Sequence, residues 1–229
     1  MKSISIGDLH GDDTWKNVNL DNYDLEIFLG DYVDDFNHTS KEIVQNFEDI
    51  IYHKKQNPDK VKLLIGNHDA QYFTWGTEWH KRIKCSGFRN NYLFKIYNLY
   101  IQNVNLFEPS FQIDNYLWSH AGLSNKSFKL YFENKKLENE TMSEMINRLW
   151  KCLDGALFPI GNERGGDSEI GSIFWMGLGE VGLDMLNNYH QIVGHTPVGQ
   201  INKFEKDENT SMTFIDTRLG NKEFLELEI

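Results

Sequence analysis

Three short apolar runs, at residues 3–6, 25–29 and 61–65, each end in the same kind of turn: Gly7-Asp8, Gly30-Asp31 and Gly66-Asn67. Buried strands that open repeatedly into polar loops constrain this chain more than any other feature, because glycine lets the backbone turn sharply where a strand stops. Between the second and third runs, Thr39 and Glu42 form a predicted capping box. Ile43, Val44, Phe47, Ile50 and Ile51 follow at helical spacing until Asn57-Pro58 ends the pattern. Strand, helix, strand is the signature of an α/β protein.

Residues 92–104 and 142–153 each carry an apolar helical face and flank a predicted hairpin at 111–119 that turns at Asp114-Asn115. A glycine-rich loop region follows Gly161, then a strand at 191–193 ends in Gly194-His195, and alternating strands lie near 212–215 and 224–229. The chain is thus expected to finish as a β-rich half. Its 229 residues, 40% of them hydrophobic, can bury a sizeable core, and no linker-like stretch interrupts them, so a single domain over 1–229 is expected.

A formal charge of −11 argues against a broad face for nucleic-acid backbones, which call for clustered Lys and Arg. No apolar stretch approaches a membrane span. The first residues run straight into an apolar alternation and a site-like turn, which leaves no room for a signal peptide, and Cys85 and Cys152 stand far apart without zinc-finger spacing. A cytoplasmic protein with two reduced thiols is the expectation.

Five segments place metal-ligand residue types directly after apolar strands: GDLHG at 7–11, GDYVDD at 30–35, GNHD at 66–69, SHAG at 119–122 and GHTP at 194–197. Any one of them reads as a structural turn, but all five in order read as a metal site. Aspartate and asparagine oxygens with histidine nitrogens suit manganese, iron or zinc. Two such ions can screen a phosphate ester, activate water near neutral pH and stabilise a leaving oxygen, with Asp8 and Asp31 as the natural terminal and bridging carboxylates.

In their order these segments resemble the calcineurin-like metallophosphoesterase superfamily, nearest its branch of serine/threonine phosphoprotein phosphatases and their bacterial or phage relatives. That pattern reads GDxHG, GDxVDRG, GNHE, a histidine before a glycine-containing turn, GHT and finally IDTG, which here is Ile215-Asp216-Thr217-Arg218. The resemblance spans almost the whole chain. It implies a four-layer αββα sandwich, with two mixed β-sheets packed face to face and flanked by helices. It implies two divalent metals, manganese first with iron or zinc as alternatives, one held by Asp8, His10 and Asp31 and the other by Asp31, Asn67, His120 and His195. It further implies a bridging hydroxide that attacks phosphorus in line, with His68 as the general acid, steered by Asp34.

The residue chemistry agrees, since a histidine is a suitable acid near neutral pH and a carboxylate holds its ring. The expected substrates are phosphomonoesters, small or on proteins; dinucleoside polyphosphates, phosphodiesters and a catalytically silent metal-binding module are the alternatives.

Two departures stand out. Asp35 occupies the position of the arginine that grips phosphate in the family, and a second arginine, expected in a WxR stretch, is replaced by Trp175-Met176-Gly177. An arginine fork gives phosphate bidentate hydrogen bonds that aspartate cannot. Of the five arginines, Arg89, Arg164 and Arg218 lie in segments that could reach the site, and Arg164 and Arg218 are singled out. Asp69 replaces the commoner glutamate of GNHE with the charge preserved. His38, His53, His80 and His190 read as surface or satisfied interior histidines, and Asp12 and Asp13 as helix-start carboxylates. Tyr72, Phe73, Trp75 and Trp79 read as one packed helix face rather than a base-stacking surface, and the basic residues at 81–84 as a solvated face.

Overall fold

The structure, a computed structural model, describes residues Met1–Ile229, which divide into two compact units: Met1–Phe107 with Phe224–Ile229, and Glu108–Glu223. The first unit begins with strand β1 (Lys2–Ile6), β2 (Leu25–Phe28), helix α1 (Ser40–Gln56) and β3 (Val61–Leu64). Helices α2 (Asn67–Phe73), α3 (Glu78–Arg82) and α4 (Leu93–Gln102) follow, and β4 (Phe107–Glu108) leads out. β1, β2 and β3 run parallel as neighbours, with β4 at one edge of the sheet.

Parallel strands bury both faces, so Ser3 and Ser5 of β1 and Glu26 of β2 are buried along with the apolar residues between them, although β1 alternates serine with isoleucine. Parallel pairing also sends all three carboxyl ends to one edge, so the loops after Ile6, Phe28 and Leu64 open side by side. The Thr39–Glu42 capping box starts α1 as expected, and Ile43, Phe47, Ile50 and Ile51 are buried beneath it. Each such side chain contributes about 1.5–3 kcal/mol. In β2 the fully buried Glu26 carboxylate is matched by His53 Nε2 at 2.6 Å and Lys60 Nζ at 2.9 Å.

The second unit opens with the expected hairpin, β5 (Ser110–Ile113) against β6 (Tyr116–Ser119), turning at Asp114, whose φ is +49°. Helices α5 (Asn125–Tyr131), α6 (Met142–Lys151) and α7 (Leu178–Gly182) precede β7 (His190–Val193), β8 (Asn202–Asp207) and β9 (Thr210–Phe214). Sheet order is β5-β6-β7-β9-β8, with β7 parallel to both β6 and β9. Because β6 and β7 are parallel neighbours, His120 and His195 emerge from adjacent strand ends. Ala121, Ile170, Met176, Val181, Met185, Val193, Met212 and Phe214 pack as one buried cluster.

The fold is therefore mixed α/β with two five-stranded mixed sheets and helices. The last strand, β10 (Leu225–Glu228), corrects one expectation: it leaves the β-rich half and pairs antiparallel with β1, Lys2 opposite Glu228. Its alternation foretells a strand, whereas partner choice depends on contacts more than 200 residues apart in sequence, such as Ser3 Oγ to the Leu227 carbonyl. The aromatic stretch is corrected too: α2 stops at Phe73, Gly76 takes φ +86°, and Trp79 belongs to α3, so the four rings do not share one helix. Asp12, not Asp13, receives the Thr14 N–H at 2.8 Å, and the turn it starts is a short 3-10 helix. No helix is long and apolar enough to cross a membrane.

Candidate metal centre

In the first unit Asp8 and His10 follow β1, Asp31 and Asp34 follow β2, and Asn67 and His68 open α2 after β3. His10, Asp31 and Asp34 take φ of +50°, +52° and +64°, in the left-handed region that non-glycine residues occupy sparingly and that clusters at functional sites. Backbone bonds stitch the loops together: the Leu9 and His10 N–H groups donate to the Asp31 carbonyl at 3.1 and 2.7 Å, and Gly11 N–H donates to the Tyr32 carbonyl at 3.0 Å. Gly30 sits at φ +91°, and a Cβ there would lie 2.2 Å from Gly66 N. Gly30→Ala is expected to cost about 3 kcal/mol in urea unfolding, from strain and overlap together.

Asp69 fixes this edge. Its Oδ2 accepts the N–H groups of Asp31 at 2.6 Å and Gly66 at 2.9 Å, and its Oδ1 accepts that of Tyr32 at 2.9 Å. An acidic side chain three residues into a helix that starts after Gly66 is a capping position, a role that the preserved charge of Asp69 keeps.

His10 Nδ1 lies 3.0 Å from the Val33 carbonyl and 2.7 Å from the Asp34 carbonyl. Carbonyls only accept, so Nδ1 carries the proton and Nε2 is the nitrogen that could coordinate a metal. Nε2 stands 3.5 Å from Asp31 Oδ2 and 3.9 Å from Asp8 Oδ2, with both carboxylates buried. These separations exceed hydrogen bonds and approach the spacing of roughly 3 to 3.5 Å between donors that share one ion at about 2.1 Å. Asn67 turns its amide nitrogen to Cys85 Sγ at 3.5 Å, which makes its oxygen the end that can coordinate.

His68 takes a different partner. Its Nδ1 pairs with Asp34 Oδ2 at 3.0 Å, while its backbone N–H donates to Asp31 Oδ1 at 2.9 Å. One ligand-type atom from each of His10, Asp31 and His68 lies within 4.8 Å of the others. Burial opposes charge on His68, but the carboxylates of Asp31, Asp34 and Asp69 outweigh it and raise the imidazole above its ordinary pKa. Asp34 Oδ1 in turn accepts the hydroxyls of Tyr72 and Tyr92, the latter at 2.7 Å. No sequence signal marked either tyrosine for this role.

In the second unit His120 and His195 are buried, and His195 takes φ +62°. His195 Nδ1 and His120 Nε2 are 3.2 Å apart, a spacing that also suits two ligands of one ion. Trp175 meets the His195 ring edge-on, with centroids 5.9 Å apart.

The arginines separate clearly. Arg164 Nη2 donates to Thr196 Oγ1 at 2.6 Å, next to His195 in sequence. Arg218 Nε pairs with Asp216 at 3.1 Å, and Arg89 donates to the carbonyls of Asp35 and His38. Asp35 spends its carboxylate on its own loop, accepting Asn37 N–H, His38 N–H and His38 Nδ1, each at 2.7 Å. Partial burial opposes its charge, but these hydrogen bonds prevail and hold its carboxyl below the usual range. His53, His80 and His190 are satisfied by Glu26, the Gln71 carbonyl and Ser211 respectively.

Residues 1–214 match the model of the calcineurin-like phosphoesterase family. The chain belongs to this family. Membership implies divalent metal ions, and the mixed oxygen and imidazole donors of the first unit and the imidazole pair of the second are of types that fit them. Among solved structures, a point mutant of a cold-active protein tyrosine phosphatase superposes with a TM-score of 0.61 at 16% identity, over 99% of this chain and 75% of that one. The cold-active protein tyrosine phosphatase of a psychrophilic Shewanella species gives 0.54 at 18% identity, over 99% and 75%. A protein serine/threonine phosphatase from Saccharomyces cerevisiae gives 0.50 at 17% identity, over 96% and 70%. At these identities the likeness is one of fold. No curated protein matches the sequence.

Proposed function

We propose that this calcineurin-like phosphoesterase hydrolyses phosphate monoesters, of small molecules or of proteins, at a dinuclear metal centre. The observation that carries the reading is the pairing of His68 with Asp34 beside the buried donors Asp8, His10 and Asp31, since a purely structural metal site has no use for a positioned acid. As the family motifs imply, Asp8, His10 and Asp31 would hold one ion, and Asn67, His120 and His195 together with Asp31 would hold the other. Manganese is the first candidate, with iron and zinc as alternatives.

The bound ions would neutralise phosphate charge and lower the pKa of the attacking water. The chain's own residues do the rest. Arg164, placed beside His195 through Thr196, holds the phosphate in the role that Asp35 has vacated. His68 keeps its Nδ1 proton on Asp34 and gives its Nε2 proton to the departing oxygen as the P–O bond breaks. Asp34 fixes the ring so that Nε2, not Nδ1, faces the ester.

Arg164→Ala is expected to raise KM by about 10–100-fold with little change in kcat, the loss of a charged hydrogen bond to phosphate. The reading as a whole is tested by initial rates on aryl phosphate and bis-aryl phosphate with metal-stripped protein, before and after manganese is added. Manganese-restored turnover that favours the monoester supports it. Preference for the diester makes the protein a diesterase, and silence on both substrates overturns the monoesterase reading in favour of dinucleotide substrates or a non-catalytic module.

A further inference from the structure

We infer that Tyr72 and Tyr92 are positioning residues that clamp Asp34 so that His68 can serve as the general acid, an inference that rests on the phosphoesterase reading above. Asp34 has two carboxylate oxygens with divided duties: Oδ2 holds His68 Nδ1 at 3.0 Å, and Oδ1 accepts both tyrosine hydroxyls. With Oδ1 occupied by two donors, rotation of the carboxylate about its Cβ–Cγ bond would break both hydrogen bonds, so the oxygen offered to His68 stays fixed.

The surroundings keep this arrangement rigid. Tyr72 is fully buried, Tyr92 nearly so, and their rings stack at 5.5 Å with 18° between planes. The Tyr72 oxygen also receives the Arg89 N–H at 2.9 Å, so Tyr72 is held by the fold and not by Asp34 alone. Tyr72 lies one helical turn after His68 on α2, so one rigid element carries both the acid and part of the clamp. Asp34 itself sits at φ +64°, a conformation that needs external support to persist. Burial, together with the nearby Asp34 charge, keeps both hydroxyls protonated far above neutral pH, so they act only as donors toward Asp34.

The role separates from a structural one by the leaving group. A poor leaving group such as phenolate needs the His68 proton as the P–O bond breaks, whereas 2,4-dinitrophenolate departs without it. The experiment compares Tyr72→Phe, Tyr92→Phe and the double variant with the native chain on both aryl phosphates, with melting temperature and metal content recorded. For the double variant the inference predicts a kcat loss of about 10–100-fold on phenyl phosphate, under about threefold on the dinitrophenyl ester, with KM and metal content retained. Equal losses on the two esters, or no loss on phenyl phosphate, overturn it.

A second readout needs no turnover. In zinc-loaded protein the His68 Nδ1–H should give a resolved proton resonance protected from solvent exchange, and the double variant should lose that protection. If the resonance is unchanged, the clamp is wrong even where the phosphoesterase reading holds. If it is lost while the native chain hydrolyses neither ester, the clamp stands and the phosphoesterase reading fails.

Discussion

Asp31→Asn is expected to eliminate manganese-restored hydrolysis, by about a thousandfold or more, while leaving the chain folded. The reasoning starts at the backbone. Asp31 sits at φ +52°, a region that asparagine tolerates as well as aspartate, so the substitution preserves the turn after β2 and removes only the charge. Charge is what the position supplies: its Oδ2 stands 3.5 Å from His10 Nε2, and its Oδ1 accepts the His68 N–H at 2.9 Å. A neutral amide keeps one acceptor but loses the carboxylate proposed to bind both ions, and electrostatic preorganisation of this kind is commonly the largest single contribution to such rates. Metal content by elemental analysis should fall with activity, whereas an unfolding curve should stay within about 1 kcal/mol of the native one. A variant with native metal content and native turnover contradicts the assignment.

Asp69→Ala is expected to lower stability by about 3–5 kcal/mol and to weaken metal binding at the same time. Asp69 is fully buried, and its two oxygens satisfy the N–H groups of Asp31, Tyr32 and Gly66. Truncation strands three buried donors in the low-dielectric interior, each costing about 1–3 kcal/mol, with partial relief as the loop relaxes. Relaxation is itself damaging, because the donors freed are those that set the direction of the Asp31 side chain. Urea unfolding and manganese titration should therefore move together. Lost stability with native metal affinity would show that Asp69 supports the fold without orienting the donors.

The parallel strands of the first unit are legible because each is a buried run closed by glycine and a polar residue, and parallel pairing turns that repetition into a shared edge. The gathering of Asp8, His10 and Asp31 there, and of His120 with His195 in the second unit, is legible for the same reason. β8 is not: all six of its residues, Asn202–Asp207, are exposed on a sheet edge, so it carries no apolar pattern to read. Tyr72 and Tyr92 are illegible for a different reason. Their meaning lies in contacts to Asp34 across 38 and 58 residues, and nothing local distinguishes them from other aromatic core residues. The Arg164 contact to Thr196, 32 residues away, likewise emerges only in three dimensions. Short-range pattern fixes strands and turns; long-range partners decide what the turns hold.

The most direct measurement is a calorimetric titration of metal-stripped protein with manganese, native and Asp31→Asn side by side. The account predicts two ions bound per native chain and fewer in the variant, because one carboxylate is shared between them. A single ion in the native chain, or two ions retained without Asp31, contradicts it.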